Sequence, residues 1–130
     1  MSFAKITLPE LRDPRGNLVF AEERRHVPFA VKRVFAIYGV PRGGARGGHA
    51  HRAQQQLLLM LAGGCTVVVD DGRSRVEERL ETPTAALHVP AGQWLELKDF
   101  SSGAICLVLA SGPYDEADYI RDYSEFRAGT

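Results

Sequence analysis

The chain has 130 residues, 45% of them hydrophobic and 25% charged, which fits one compact globular domain spanning 1–130 and is too short for two. Sixteen Lys and Arg residues balance sixteen Asp and Glu, so neither a basic nucleic-acid surface nor an acidic solvating tail is expected. No apolar run approaches the roughly 20 residues that span a bilayer, and Met1-Ser2-Phe3-Ala4-Lys5 lacks the plan of a signal peptide; the expectation is a cytoplasmic protein with no membrane and no nucleic-acid partner.

Strand signals dominate from the start. The first is followed by the turn Asp13-Pro14-Arg15-Gly16, where Pro presets φ and Gly relaxes the exit. Strands are predicted over 18–22 and 31–39, the second rich in β-branched and aromatic residues. Pro41 to Gly48 is a Gly-rich loop. It lacks the phosphate-binding GxxxxGK[ST] pattern and precedes a strand, so it is read as room for the backbone. Residues 55–61 are apolar, and their shortness before Gly63-Gly64 favours a buried strand over a helix. A hairpin follows, 65–69 and 76–80 around Asp70-Asp71-Gly72. Strands at 85–89 and 94–97 flank Pro90-Ala91-Gly92, and 104–110 reads as a central strand covered on both sides. Only the tail, 115–126, has helical spacing, through Tyr119, Tyr123 and Phe126. Nine to ten short strands imply a sandwich or barrel. Cys65 and Cys106 sit in separate apolar runs without CxxC spacing and are read as buried, reduced thiols.

Chemistry concentrates at Gly48-His49-Ala50-His51. Residues i and i+2 of a strand share a face, so two imidazoles lie side by side. A plain alternative is a half-exposed strand with two polar residues. Further on stand Gln55-Gln56, Gly63 and Pro90-Ala91-Gly92-Gln93-Trp94-Leu95. Together these resemble the two-part cupin signature over residues 43–95. That resemblance implies an all-β fold, the cupin double-stranded β-helix or jelly-roll barrel, with a short C-terminal helix here. In metal-binding cupins a Glu and a second-motif His complete the ligand shell. Here those positions fall at Gln56 (or Gln55) and Leu95. Gln is a weak ligand and Leu is none, so no metal and no cofactor is expected. His49 and His51 are read instead as acid–base groups, since imidazole titrates near neutrality.

A closer resemblance covers residues 10–126. Asp13 to Leu18, Pro28 to Phe35, Arg46-Gly47-Gly48-His49-Ala50-His51, Trp94, Asp99 to Ser102 and Tyr114-Asp115-Glu116-Ala117-Asp118-Tyr119-Ile120-Arg121 occur in that order. The order is similar to the sugar-nucleotide 3,4-ketoisomerases, the WxcM-like, metal-independent cupins of deoxysugar biosynthesis. The resemblance implies isomerisation of dTDP-4-keto-6-deoxyglucose to a 3-keto sugar nucleotide. It also implies a homodimer, often with an exchanged N-terminal strand, whose products feed the amino sugars of surface glycans or antibiotics.

On this reading His49 removes the C3 proton, His51 orients the base or relays the proton, and Arg46 holds the oxyanion. Arg15, Arg33, Trp94 and Tyr119 are the candidate substrate contacts. Each has a bland alternative: Arg46 pairing with a surface carboxylate, Arg15 solvated in its turn, Trp94 in the core, Tyr119 as packing. Lys32, Arg33, Arg42 and Arg73 are unranked candidates for the diphosphate. The sequence departs from the family at Leu95, where His or Arg is common, at Phe35-Ala36, where tyrosines are common, and at Lys98, where a His is often found. The first two departures leave the C4 configuration of the product open. The competing readings are a 3- or 3,5-epimerase, for which no His–Asp pair with a tyrosine acid is apparent, and a non-catalytic sugar-nucleotide-binding cupin.

Overall fold

The computed structural model describes residues 3–130. The strands, in chain order, are β1 (Ala4–Thr7), β2 (Glu10–Leu11), β3 (Leu18–Val19), β4 (Arg33–Tyr38), β5 (Arg46–His51), β6 (Gln56–Ala62), β7 (Cys65–Asp70), β8 (Arg75–Leu80), β9 (Ala85–Val89), β10 (Trp94–Lys98) and β11 (Ile105–Ala110). A 3₁₀ turn at Glu116–Asp118, β12 (Tyr119–Ile120) and the helix α1 (Tyr123–Ala128) complete the chain. Two five-stranded antiparallel sheets face each other, ordered β1-β9-β6-β11-β4 and β12-β5-β10-β7-β8, with β2 and β3 as a separate hairpin. This is the expected jelly-roll barrel with a short C-terminal helix.

The period-2 alternation of the strands sorts residues to the two sides of each sheet. Leu58 and Met60 of β6, Cys65, Val67 and Val69 of β7, Leu95 and Leu97 of β10, and Cys106 and Val108 of β11 fill the space between the sheets. Burying each large aliphatic side chain contributes about 1.5–3 kcal/mol. The alternate residues Leu57, Leu59, Leu107 and Leu109 face outward, under Leu8, Val27 and Phe29. The strand β11 is central, between β6 and β4, but only its inward face is fully buried; Ile105, Leu107 and Leu109 on the other face are half-buried. Both cysteines are buried and unbridged. On the far side of the second sheet, Ala50 and Trp94 receive Phe126 of α1.

The tail departs from its expected single helix. Asp115 caps the 3₁₀ turn and Asp122 caps α1. Between the caps, Tyr119 and Ile120 pair with His51 and Ala50 as a strand. The two cap aspartates break the helical spacing and satisfy the freed amides, which lets β12 close the sheet beside β5.

Candidate active site

A cavity of about 820 Å³ opens at one end of the barrel. Its apolar wall includes Phe35, Leu58, Leu95 and Val108, while Arg46, His49 and Gln56 supply polar groups and Tyr38, Tyr114, Tyr119 and Arg121 stand around the mouth. This mixture suits a ligand with both apolar and polar parts.

β5 positions the two principal groups. His49 pairs with Leu95, but Gly47 pairs with Glu96, so Gly48 is an extra residue in the ladder. Such a bulge resets the alternation. Arg46, opposite Leu97, and His49, opposite Leu95, therefore both face inward. Gly47 and Gly48 hold φ of +84° and +76°, a region costly to side chains with a Cβ. A Cβ on Gly47 would also stand 2.8 Å from the Leu95 carbonyl oxygen.

His49 lines the cavity. Its Nδ1 is sealed from solvent without a hydrogen-bond partner, so Nε2 is the nitrogen available to a ligand. Burial, then the neighbouring His51 and Arg121, push its pKa down to about 4. The ring is consequently neutral near pH 7 and holds a free electron pair.

His51 has another place. It is 5% exposed and is not among the cavity-lining residues. Its Nδ1 lies 2.8 Å from Asp118 Oδ2, and its Nε2 lies 3.2 Å from Gln56 Nε2. Asp118 also accepts from the amides of Ala53 at 2.8 Å and Gln54 at 3.3 Å. Burial opposes its ionisation, but these hydrogen bonds together hold the carboxyl below its ordinary range. Burial likewise lowers the His51 pKa, against the pull of Asp118. His51 is therefore a neutral ring committed on both nitrogens. Its centroid is 5.1 Å from that of His49, and Tyr119 packs 4.8 Å from His49 and 4.5 Å from His51.

The other expected contacts divide. Tyr119 is at the cavity, under the Arg121 guanidinium at 4.2 Å. Arg121 pairs with Glu116 at 2.7 Å, and Tyr114 donates to the same carboxylate at 2.7 Å. Arg33 stands behind the wall, over Phe35 at 5.1 Å and bonded to Gln54 at 3.2 Å. Arg15 is not at this cavity. It is bound to Asp13 at 2.8 Å in the β2–β3 hairpin, with its side chain 89% exposed. Trp94 requires a correction. Strand alternation puts it opposite Leu95, on the outer face, where it is 4% exposed against Phe126 and Tyr123 and bonds Glu96. It packs the helix and offers no face to a ligand in the cavity.

The sequence reading missed Asp118, Gln56, Arg121 and Glu116 as site residues. A His–Asp pair was also not apparent, because its members are 67 positions apart. The available signals were that Glu116, Asp118 and Arg121 stand within the Tyr114 to Arg121 segment and that Gln56 falls at the cupin ligand position. For a metal, the donors do not converge. Among the described residues no group of three His, Cys, Asp or Glu could hold an ion, and both His51 nitrogens are already engaged.

The family model FdtA, described as WxcM-like, C-terminal, matches residues 1–130. The chain belongs to this family. Among its relatives is the TDP-4-oxo-6-deoxy-alpha-D-glucose-3,4-oxoisomerase of Aneurinibacillus thermoaerophilus, 43% identical over 122 residues, which cover 94% of this chain and 88% of that one. Solved structures of 3,4-ketoisomerases superpose closely. A 3,4-ketoisomerase from Helicobacter canadensis gives a TM-score of 0.95 at 38% identity, over 98% of this chain and 96% of that one. A variant of the 3,4-ketoisomerase QdtA from Thermoanaerobacterium thermosaccharolyticum, in complex with TDP-4-keto-6-deoxyglucose, gives 0.95 at 32% identity, over 98% and 92%. With these relatives, the chain is an enzyme of the sugar-nucleotide 3,4-ketoisomerase class.

Proposed function

We propose that the chain isomerises dTDP-4-keto-6-deoxyglucose to a dTDP-3-keto-6-deoxyhexose by proton transfer through an enediolate, without a metal or cofactor. The observation that carries this reading is the neutral, cavity-facing His49 beside Arg46 on one wall. The proton on C3, next to the C4 carbonyl, passes to His49 Nε2. Its electron pair forms the C3–C4 double bond, and the carbonyl pair moves onto O4 opposite the Arg46 guanidinium. Transfer of the O3 proton to O4 and return of the His49 proton to C4 then leave C3 as the carbonyl and C4 as the carbinol. Oxidation at C3 balances reduction at C4, so no external redox partner is needed.

A pKa near 4 makes His49 available but weak. Stabilising the enediolate therefore carries much of the barrier, and one such donor is typically worth about 3–4 kcal/mol. His51 acts by position, since neither of its nitrogens is free.

One observation favours the epimerase reading: the buried His51–Asp118 pair beside Tyr119. It ranks second because the paired histidine is turned from the cavity and the open one has no carboxylate partner. Arg15 contributes only if a second copy brings the β2–β3 hairpin to the site. A homodimer, with or without exchange of β1, fits the exposure of Leu11, Leu18, Val34 and Tyr38 on the hairpin and the β4 edge. A cytoplasmic location fits the two free thiols. The test is incubation with dTDP-4-keto-6-deoxyglucose followed by NMR. A 3-keto isomer supports the reading; inversion at C3 or C5 without one refutes it.

A further inference from the structure

Gln56 is 4% exposed, yet it lines the cavity, and nothing in the reaction above uses it. Its orientation is dictated from outside the cavity. Asp118 is an acceptor, so His51 Nδ1 must carry the proton of their 2.8 Å hydrogen bond. Neutral His51 then has only an electron pair at Nε2, and the group 3.2 Å away must be a donor. That requirement turns the Gln56 amide nitrogen toward His51 and leaves Oε1 as the atom offered to the cavity. Among the described residues Oε1 has no hydrogen-bond partner and is not a sealed atom. The polarity is thus fixed in one direction, from Asp118 through His51 to an acceptor in the wall.

We infer that Gln56 Oε1 is a substrate-binding acceptor for the C3 hydroxyl of the keto sugar, held in that orientation by Asp118 acting through His51. The inference rests on the isomerase reading and deepens it. His51 joins Gln56 to the neighbourhood of His49, with the two imidazole centroids 5.1 Å apart. The hydroxyl on the carbon that loses its proton to His49 is therefore the nearest donor that the sugar can present. This O3–H becomes more acidic as C3 gains carbonyl character, so the hydrogen bond strengthens toward the transition state. An amide oxygen cannot take the proton, so Gln56 orients the hydroxyl while the proton passes to O4, which must gain one. Asp118 and His51 are positioning residues in this scheme.

The test is steady-state kinetics on dTDP-4-keto-6-deoxyglucose, with dTDP binding by calorimetry as the control for folding, for Gln56→Leu, Asp118→Asn and the double variant. In Asp118→Asn the Ala53 amide keeps the oxygen, so an NH₂ meets His51, its tautomer reverses and the Gln56 amide turns over. Each single change is expected to lower kcat/KM about 10- to 100-fold, mostly in kcat, with dTDP affinity unchanged. The double variant is expected to be no worse than the singles. A second arm uses a competitive substrate analogue lacking the C3 hydroxyl. Its inhibition constant relative to the substrate's affinity should be raised in the native protein and level in Gln56→Leu. Wild-type kcat/KM in Gln56→Leu, multiplicative losses in the double variant, or an equal analogue penalty in both proteins would overturn the inference. A native protein that forms no 3-keto isomer would instead overturn the isomerase reading.

Discussion

Arg46 and His49 project into one cavity, although residues three apart on an unbroken strand face opposite sides. The extra residue Gly48 reconciles them. Arg46→Met is therefore expected to lower kcat by about 10²–10³-fold, the usual loss for one oxyanion donor, at nearly native melting temperature. Deleting Gly48 removes the extra residue but leaves Arg46 two positions before His49, still opposite Leu97 on the inner face, so the deletion variant should keep far more activity than Arg46→Met. Steady-state kinetics on the two proteins checks this. A loss in the deletion variant as large as that of Arg46→Met would count against the shared-face geometry.

The pH dependence follows from the buried histidines. Burial first, then the neighbouring His51 and the Arg121 cation, holds His49 at about 4 against an ordinary 6.5. Its base form persists above that value, so the acid limb of kcat/KM should lie well below pH 6.5. Stability moves in the same direction. His49, His51 and His88 all have folded pKa values lowered chiefly by burial. The unfolded chain thus binds more protons as the pH falls through 6.5 toward the folded values, and stability drops across that window. Melting temperatures measured from about pH 7.5 to about pH 5 should fall steadily.

Trp94 gives a separate check on which face is functional. It packs Phe126 and Tyr123 and donates to Glu96 at 2.8 Å. Trp94→Phe should lower the melting temperature and leave dTDP affinity unchanged, as read by calorimetry. A loss of nucleotide affinity at unchanged stability would return Trp94 to the site.

Metal independence is expected from the donor set. Dialysis against a strong chelator should leave turnover unchanged, because Gln56 and Leu95 stand where a cupin metal would need a carboxylate and an imidazole. Stoichiometric metal whose removal abolishes turnover would refute this.

The residues that were legible in the sequence were those fixed by local periodicity. Alternation put His49 and His51 on one face, and Pro90-Ala91-Gly92 marked the turn before β10. The same alternation would have assigned Trp94 outward once Leu95 faced inward, but sequence alone does not say which face is the core. The bulge was hidden because Gly47 and Gly48 read as the end of a Gly-rich loop. Asp118 was hidden for a different reason: its meeting with His51, 67 positions away, depends on β12 pairing with β5. Tyr119 was placed by helical spacing and found on a strand, since the caps at Asp115 and Asp122 outrank that spacing.

The most direct measurement is solvent-deuterium incorporation into dTDP-4-keto-6-deoxyglucose, followed by NMR, for the native protein and His49→Ala. The native protein is expected to exchange C3 and form a 3-keto product. His49→Ala is expected to lose C3 exchange while dTDP still raises its melting temperature. Full C3 exchange in that variant would contradict His49 as the base.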